Sequence, residues 1–192
     1  MHIAIEGLDG VGKTSTAKAL EKLTGFTLIE YPIRYLTDGE TGREQLNRLI
    51  VQVEDNTERD FTAMFYGTGN MYLKYLIKGR NVITDRYLAS TYFWNCTPNN
   101  VEFFDFLVRV ANRPDFTVLL FANADVRKER ILRRNPNDLD LKKKIFRDSQ
   151  YDKLQEFLDR YQMIHCRIDN SQMSIEETAK AIKRAAKKAG VL

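Results

Sequence analysis

Eight residues near the N-terminus, Gly7-Leu8-Asp9-Gly10-Val11-Gly12-Lys13-Thr14, set three glycines, a lysine and a hydroxyl in the order GxxxxGK[ST]. Glycines at these positions let the backbone turn its N–H groups inward around phosphate oxygens. Those donors continue into the first turn of the next helix, whose positive end favours an anion. The cradle is expected to comprise Gly7, Gly10, Val11, Gly12, Lys13, Thr14 and Ser15, with Lys13 bridging β- and γ-phosphates and the Thr14 hydroxyl on Mg²⁺. ATP and Mg²⁺ are therefore the expected donor and cofactor. A second pair that can do chemistry, Asp85-Arg86, closes the apolar run 82–84. An acid there can hold Mg²⁺ through water, and an arginine offers phosphate a planar fork.

The elements that must position these groups alternate. Residues 1–6 read as a short strand, 7–12 as a glycine-rich turn, and 13–23 as a helix stopped by Gly25. Residues 26–31 read as a strand closed by Pro32, and helices are predicted at 41–52 and 60–78, the second weakened in its middle by Gly67 and Gly69. Strands at 81–84, 117–121 and 165–168 separate helices at 102–110, 125–134 and 174–189, with a long polar helix running to about 161. Ser174 and Glu177 have the spacing of a capping box. Strands alternating with helices predict an α/β fold: a parallel sheet flanked by helices in three layers, joined by right-handed crossovers. No linker or repeat interrupts the pattern, so residues 1–192 are expected to form a single domain.

Composition narrows the class. With 43% hydrophobic and 29% charged residues the chain reads as globular. No apolar run approaches the ~20 residues that span a membrane. The net charge of +4 is mild, and its cations are scattered rather than gathered in one stripe, which argues against nucleic acid as a partner. Two cysteines, Cys96 and Cys166, without motif spacing point to a reducing cytoplasm and no disulfide framework.

The segment Ile5-Glu6-Gly7-Leu8-Asp9-Gly10-Val11-Gly12-Lys13-Thr14-Ser15-Thr16 resembles the opening of thymidylate kinases. Tyr31-Pro32-Ile33-Arg34 with Thr41-Gly42 resembles the Phe-Pro-x-Arg segment and Thr-Gly of that family, Asp85-Arg86-Tyr87 with Ser90 its Asp-Arg-Tyr-x-x-Ser motif, and Ile168-Asp169-Asn170 its last strand and loop. The resemblance implies a P-loop kinase fold with a short lid, at about 134–146 here, and a homodimer. It also implies transfer of the γ-phosphoryl of ATP to a deoxynucleoside monophosphate, dTMP giving dTDP. Asp9 matches the acid that binds the deoxyribose 3′-hydroxyl; Arg34 and Arg86 match the arginines that grip the acceptor phosphate; Phe61 matches the phenylalanine that stacks on the base, with Tyr87 and Ser90 beside it. Each has a plainer reading: Asp9 a turn former, Arg34 a loop charge, Asp85 and Arg86 a structural pair, and Phe61, Phe65 and Tyr66 core residues at helical spacing.

Two departures stand out. Where the family reads the thymine carbonyl with an arginine one helical turn after the stacking ring, counting back from Gly79 places Phe65. The family's lid arginine falls near Asp140, leaving Arg130, Arg133, Arg134 and Lys142 as candidates, of which Arg130 and Arg134 share one helical face. A cation placed over the transferring phosphoryl group contributes about 10³–10⁵-fold in related systems. Two rivals share the fold: a deoxynucleoside kinase acting on a 5′-hydroxyl, for which Glu30 is the candidate base, and a nucleotide-binding protein without catalysis.

Overall fold

The computed structural model describes residues 1–54, 57–138, 141 and 146–192. Its centre is a five-stranded, wholly parallel sheet in the order β2-β3-β1-β4-β5, formed by β1 (His2–Glu6), β2 (Thr27–Glu30), β3 (Val82–Asp85), β4 (Phe116–Phe121) and β5 (His165–Asp169). Central strands are apolar on both faces because helices cover both. Ile3 and Ile5 on one face of β1 join Val118 and Leu120 of β4 and Ala17 and Leu20 of helix α1 (Lys13–Thr24), against α8 (Ile175–Lys188). On the other face Ala4 and Leu119 meet α3 (Arg59–Leu76), α4 (Leu88–Asn95), α5 (Val101–Val110) and α7 (Tyr151–Arg160). Helices α2 (Gly39–Glu54) and α6 (Ala124–Arg134) complete the elements among the described residues. The predicted three-layer arrangement is what forms, and Ser174 with Glu177 makes the predicted capping box on α8.

The structure differs from the sequence reading in three places. The strand expected to run to Tyr31 ends at Glu30, because Tyr31 takes φ 50° and Pro32 opens a short 3₁₀ turn, Pro32–Leu36. The motif Asp85-Arg86-Tyr87 leads directly into a helix, α4, that the sequence reading left unassigned. The long polar helix toward residue 161 is shorter: α7 starts at Tyr151 after a 3₁₀ turn at Asp148–Gln150.

Gly67 and Gly69 weaken α3 locally yet are required by its neighbours. A Cβ at position 69 would stand 2.6 Å from the backbone nitrogen of Ile33, and one at position 67 would stand 2.7 Å from the Phe103 ring. The 3₁₀ turn that carries Arg34 therefore rests main chain to main chain on α3. Gly69→Ala is expected to cost about 1–3 kcal/mol, read as a fall in the urea midpoint. Thr68→Ala, whose hydroxyl only returns to Met64 O of its own exposed helix face, should move the midpoint by less than about 0.5 kcal/mol.

Candidate active site

All five strands point their carboxyl ends at one rim, and ligands bind there in parallel α/β sheets. The rim opens into a cavity of about 1450 Å³. That exceeds the roughly 300–1,000 Å³ usual for one small ligand, so two can be held together.

One end of the cavity is formed by the glycine turn between β1 and α1. Gly10 holds φ 81°, and a Cβ there would lie 2.5 Å from the Arg127 carbonyl oxygen, so the turn closes against α6 only with glycine. Gly12 caps α1 at φ 93°. The wall of the cavity includes Asp9, Gly10, Val11, Gly12, Lys13, Thr14 and Ser15, whereas Gly7 lies beneath the turn against Leu120. Lys13 is buried, and its Nζ donates to Leu8 O at 2.8 Å. Burial, then the nearby Arg86 guanidinium, pull its pKa to about 8, against the opposing pull of Asp9, Asp85 and Glu6. The Val11 carbonyl oxygen accepts from Asn170 Nδ2 at 2.9 Å and from Arg130.

The far end of the cavity is organised by Arg86, a non-glycine residue at φ 68°. Such backbone costs about 1–3 kcal/mol and persists where its surroundings over-determine it. Here the Arg86 N–H donates to Ile5 O at 3.0 Å. The side chain of Glu6, the last residue of β1, then caps α4. It accepts from the N–H groups of Tyr87 (3.0 Å), Ala89 (3.0 Å) and Ser90 (3.2 Å) and from the Ser90 hydroxyl. Burial pushes the Glu6 carboxyl up, and the Ser90 bonds and the Arg86 charge pull it back. The Arg86 guanidinium pairs with Asp9. It also stands 5.8 Å from the centroid of the Tyr31 ring, over which Arg34 stands at 5.0 Å. Tyr31 thus gathers two guanidinium groups at one wall of the cavity.

The structure brings most of the expected residues together. Asp9, Lys13, Thr14, Asp85, Arg86, Tyr87, Ser90, Arg130 and Arg134 all line the cavity. Four placements need qualification. Arg34 is exposed and reaches the wall only through Tyr31. Arg130 is tied to the donor turn through Val11 O and to Asn170 Oδ1 and O, and Arg134 pairs with Asp138. The Ser90 hydroxyl is committed to Glu6. Phe61 is a correction: it is 49% exposed and absent from the cavity wall, where Thr62, Tyr66 and Asn70 stand instead. The wall is one residue out of phase with the expected Phe61 and Phe65, because the glycines of α3 fix its rotation against Ile33 and Phe103. Of the expected lid, Asn135, Asn137 and Asp138 reach the wall, and residues 139–140 and 142–145, Asp140 and Lys142 among them, lie outside the described residues. Sequence reasoning missed the capping role of Glu6, although Glu6 directly precedes the glycine turn, and the wall residues Tyr31 and Asn70.

The pair Thr14 and Asp85 is suited to Mg²⁺. The Thr14 hydroxyl donates to Asp85 Oδ2, and Asp85 Oδ1 is buried with no hydrogen-bond partner among the described residues. A spare carboxylate oxygen beside a hydroxyl matches an ion that keeps several waters and takes its remaining ligands from phosphates.

Two outcomes follow from this geometry. Glu6→Gln turns an amide N–H₂ toward main-chain N–H groups, which can only donate, so about 1–3 kcal/mol of stability should be lost, seen as a melting point lower by roughly 2–4 °C per kcal/mol. Lys13 must be charged to bridge phosphates and loses its proton through pH about 8 in the ligand-free site. The dissociation constant for ATP should therefore rise about fivefold from pH 8 to pH 9 and stay flat there in Lys13→Arg, checked by calorimetric titration. Because its folded pKa lies below the unfolded 10.5, this lysine's own contribution to stability rises with pH between about 8 and 10.5.

Comparison with known proteins agrees with this geometry. A family model described as thymidylate kinase matches residues 5–182. A probable thymidylate kinase of Methanocaldococcus jannaschii is 28% identical over 186 residues, covering 92% of this chain and 90% of the relative. One of Thermoplasma volcanium is 31% identical over 150 residues, covering 70% and 73%. Among solved structures, thymidylate kinase from Candida albicans superposes with a TM-score of 0.68 at 16% identity, covering 99% of this chain and 92% of that one. Deoxyadenosine kinase from M. mycoides with bound dATP superposes with 0.69 at 18% identity, covering 97% and 100%. At those identities the two structures speak for the fold alone. The glycine turn with its lysine, the Asp-Arg-Tyr corner and a match running through nearly the whole chain give one answer: the chain belongs to the thymidylate kinase family.

Proposed function

We propose that this protein transfers the γ-phosphoryl group of ATP to a deoxynucleoside monophosphate, with dTMP as the acceptor its family membership favours. The observation that carries the reading is two cations, the buried Lys13 and the partly buried Arg86, on the wall of one cavity large enough for two nucleotides. Lys13 and the amides of the glycine turn hold the donor triphosphate, and Thr14 and Asp85 hold Mg²⁺, which neutralises charge on the phosphates. Arg86, with Arg34 alongside Tyr31, holds the acceptor phosphate, and Asp9 orients Arg86 and accepts from the sugar hydroxyl. An ionised phosphate oxygen is already a nucleophile, so catalysis reduces to positioning and charge stabilisation. Arg130 and Arg134 stand on the lid side, and Arg134 would have to leave Asp138 to reach the transferring group.

A hydroxyl acceptor would need a carboxylate base at the end of β2. Glu30 occupies that position, but it is paired with Lys18 at 3.1 Å and does not line the cavity. The monophosphate is therefore the better supported acceptor. No helix among the described residues is long and apolar enough to cross a membrane, and the reading extends to a homodimer in the cytoplasm.

With ATP and Mg²⁺, ADP release should be at least about 100-fold faster with dTMP than with thymidine, and Lys13→Ala should lower turnover by about 100-fold or more. Turnover of thymidine at the dTMP rate, or full activity in Lys13→Ala, would overturn the assignment.

A further inference from the structure

The cavity wall carries a neutral polar patch, Asn70, Thr91 and Asn95, whose hydrogen-bonding polarity can be deduced from its neighbours. Thr91 Oγ1 donates its single proton to the Tyr87 carbonyl oxygen at 3.2 Å. Toward Asn70 it can then only accept. The atom of Asn70 that faces Thr91 at 2.8 Å is therefore the amide nitrogen, Nδ2. With the amide assigned in this way, Oδ1 is the atom turned away from Thr91. Asn70 is only 3% exposed and lines the cavity. Its Oδ1 engages no group among the described residues.

A second amide is fixed in the same way. Asn95 Nδ2 donates to the Thr91 main-chain oxygen at 3.0 Å, so Asn95 Oδ1 is the atom that accepts from the Thr62 hydroxyl at 2.7 Å. The oxygen of Asn95 is thus occupied and that of Asn70 is not. Among the described residues no protein group competes for Asn70 Oδ1, so a ligand donor in the cavity has only water to displace there. Phosphate is not that donor, since an acceptor oxygen repels an anion and the cations gather instead at Tyr31. Beside Asn70 stand Tyr66, whose hydroxyl donates to Glu54 Oε1, and Trp94, with the charged Glu54 and Arg59 also on the wall. That surface suits a flat base whose edge carries an N–H.

We propose that Asn70 is a specificity-determining residue of the acceptor site, its Oδ1 accepting a hydrogen bond from an N–H on the base, N3–H in the case of thymine. This rests on the nucleoside monophosphate reading given above and adds to it the residue that reads the base. It also assigns base recognition to an uncharged amide held on Thr91.

The test is a thermodynamic cycle on the full chain, by calorimetric titration of dTMP, N3-methyl-dTMP and 3′-deoxythymidine monophosphate. In the unmodified protein N3-methylation should weaken binding by about 10–100-fold. Asn70→Ala should bind dTMP about 10-fold more weakly and show no further loss on N3-methylation. Asn70→Asp, which keeps the oxygen, should retain the N3-methyl penalty. ATP binding and the melting point report whether each variant is folded. An equal N3-methyl penalty in the unmodified protein and folded Asn70→Ala overturns the proposal, as does coupling of Asn70→Ala to loss of the 3′-hydroxyl instead. If Asn70→Ala does not fold, indifference of the unmodified protein to N3-methylation overturns it and a penalty kept in Asn70→Asp supports it. Failure of the unmodified protein to bind dTMP while binding ATP overturns the thymidylate reading itself, and this proposal with it.

Discussion

The ion pair between Arg86 and Asp9 is the constraint around which the rest of the site is arranged. Arg86 lies in backbone geometry that side chains seldom adopt, is largely buried, and shares its surroundings with a second cation, Lys13. Two like charges placed this way are costly in an empty protein. Asp9, Asp85 and Glu6 offset part of that cost and leave the remainder for an anion to cancel.

Glu6 shows how the two halves of the site are kept in register. It is the last residue of β1, so the donor turn begins at the next peptide bond. Its side chain holds the first turn of α4, which follows Arg86. One buried carboxylate thus fastens the glycine turn through the main chain and the Arg86 corner through hydrogen bonds. No loop intervenes to let them drift.

The parts of this arrangement visible in the sequence were those specified by local chemistry. The glycine turn, the Asp-Arg-Tyr corner and the Ser174–Glu177 cap each follow from short-range rules, and the alternation of strands and helices follows from apolar runs and breakers. What escaped depended on packing at a distance. The rotation of α3 is set by Gly67 against Phe103 and Gly69 against Ile33, and its exposed Phe61 and Met64 make the apolar pattern point to the wrong face. A helix advances about 100° per residue, so a one-residue error in facing exchanges Phe61 for Thr62 and Phe65 for Tyr66. Likewise Tyr31 reads as a strand residue, because its positive φ arises only when Pro32 turns the chain onto α3.

The seat of Ile33 on Gly69 has a consequence beyond folding. Two main chains in direct contact fix how high the turn carrying Arg34 rides above α3, with no rotatable side chain serving as a spacer. Rotamer hopping, which loosens most surface contacts on the nanosecond scale, has nothing to act on here. The height of that turn above α3 is therefore gauged by peptide thickness alone.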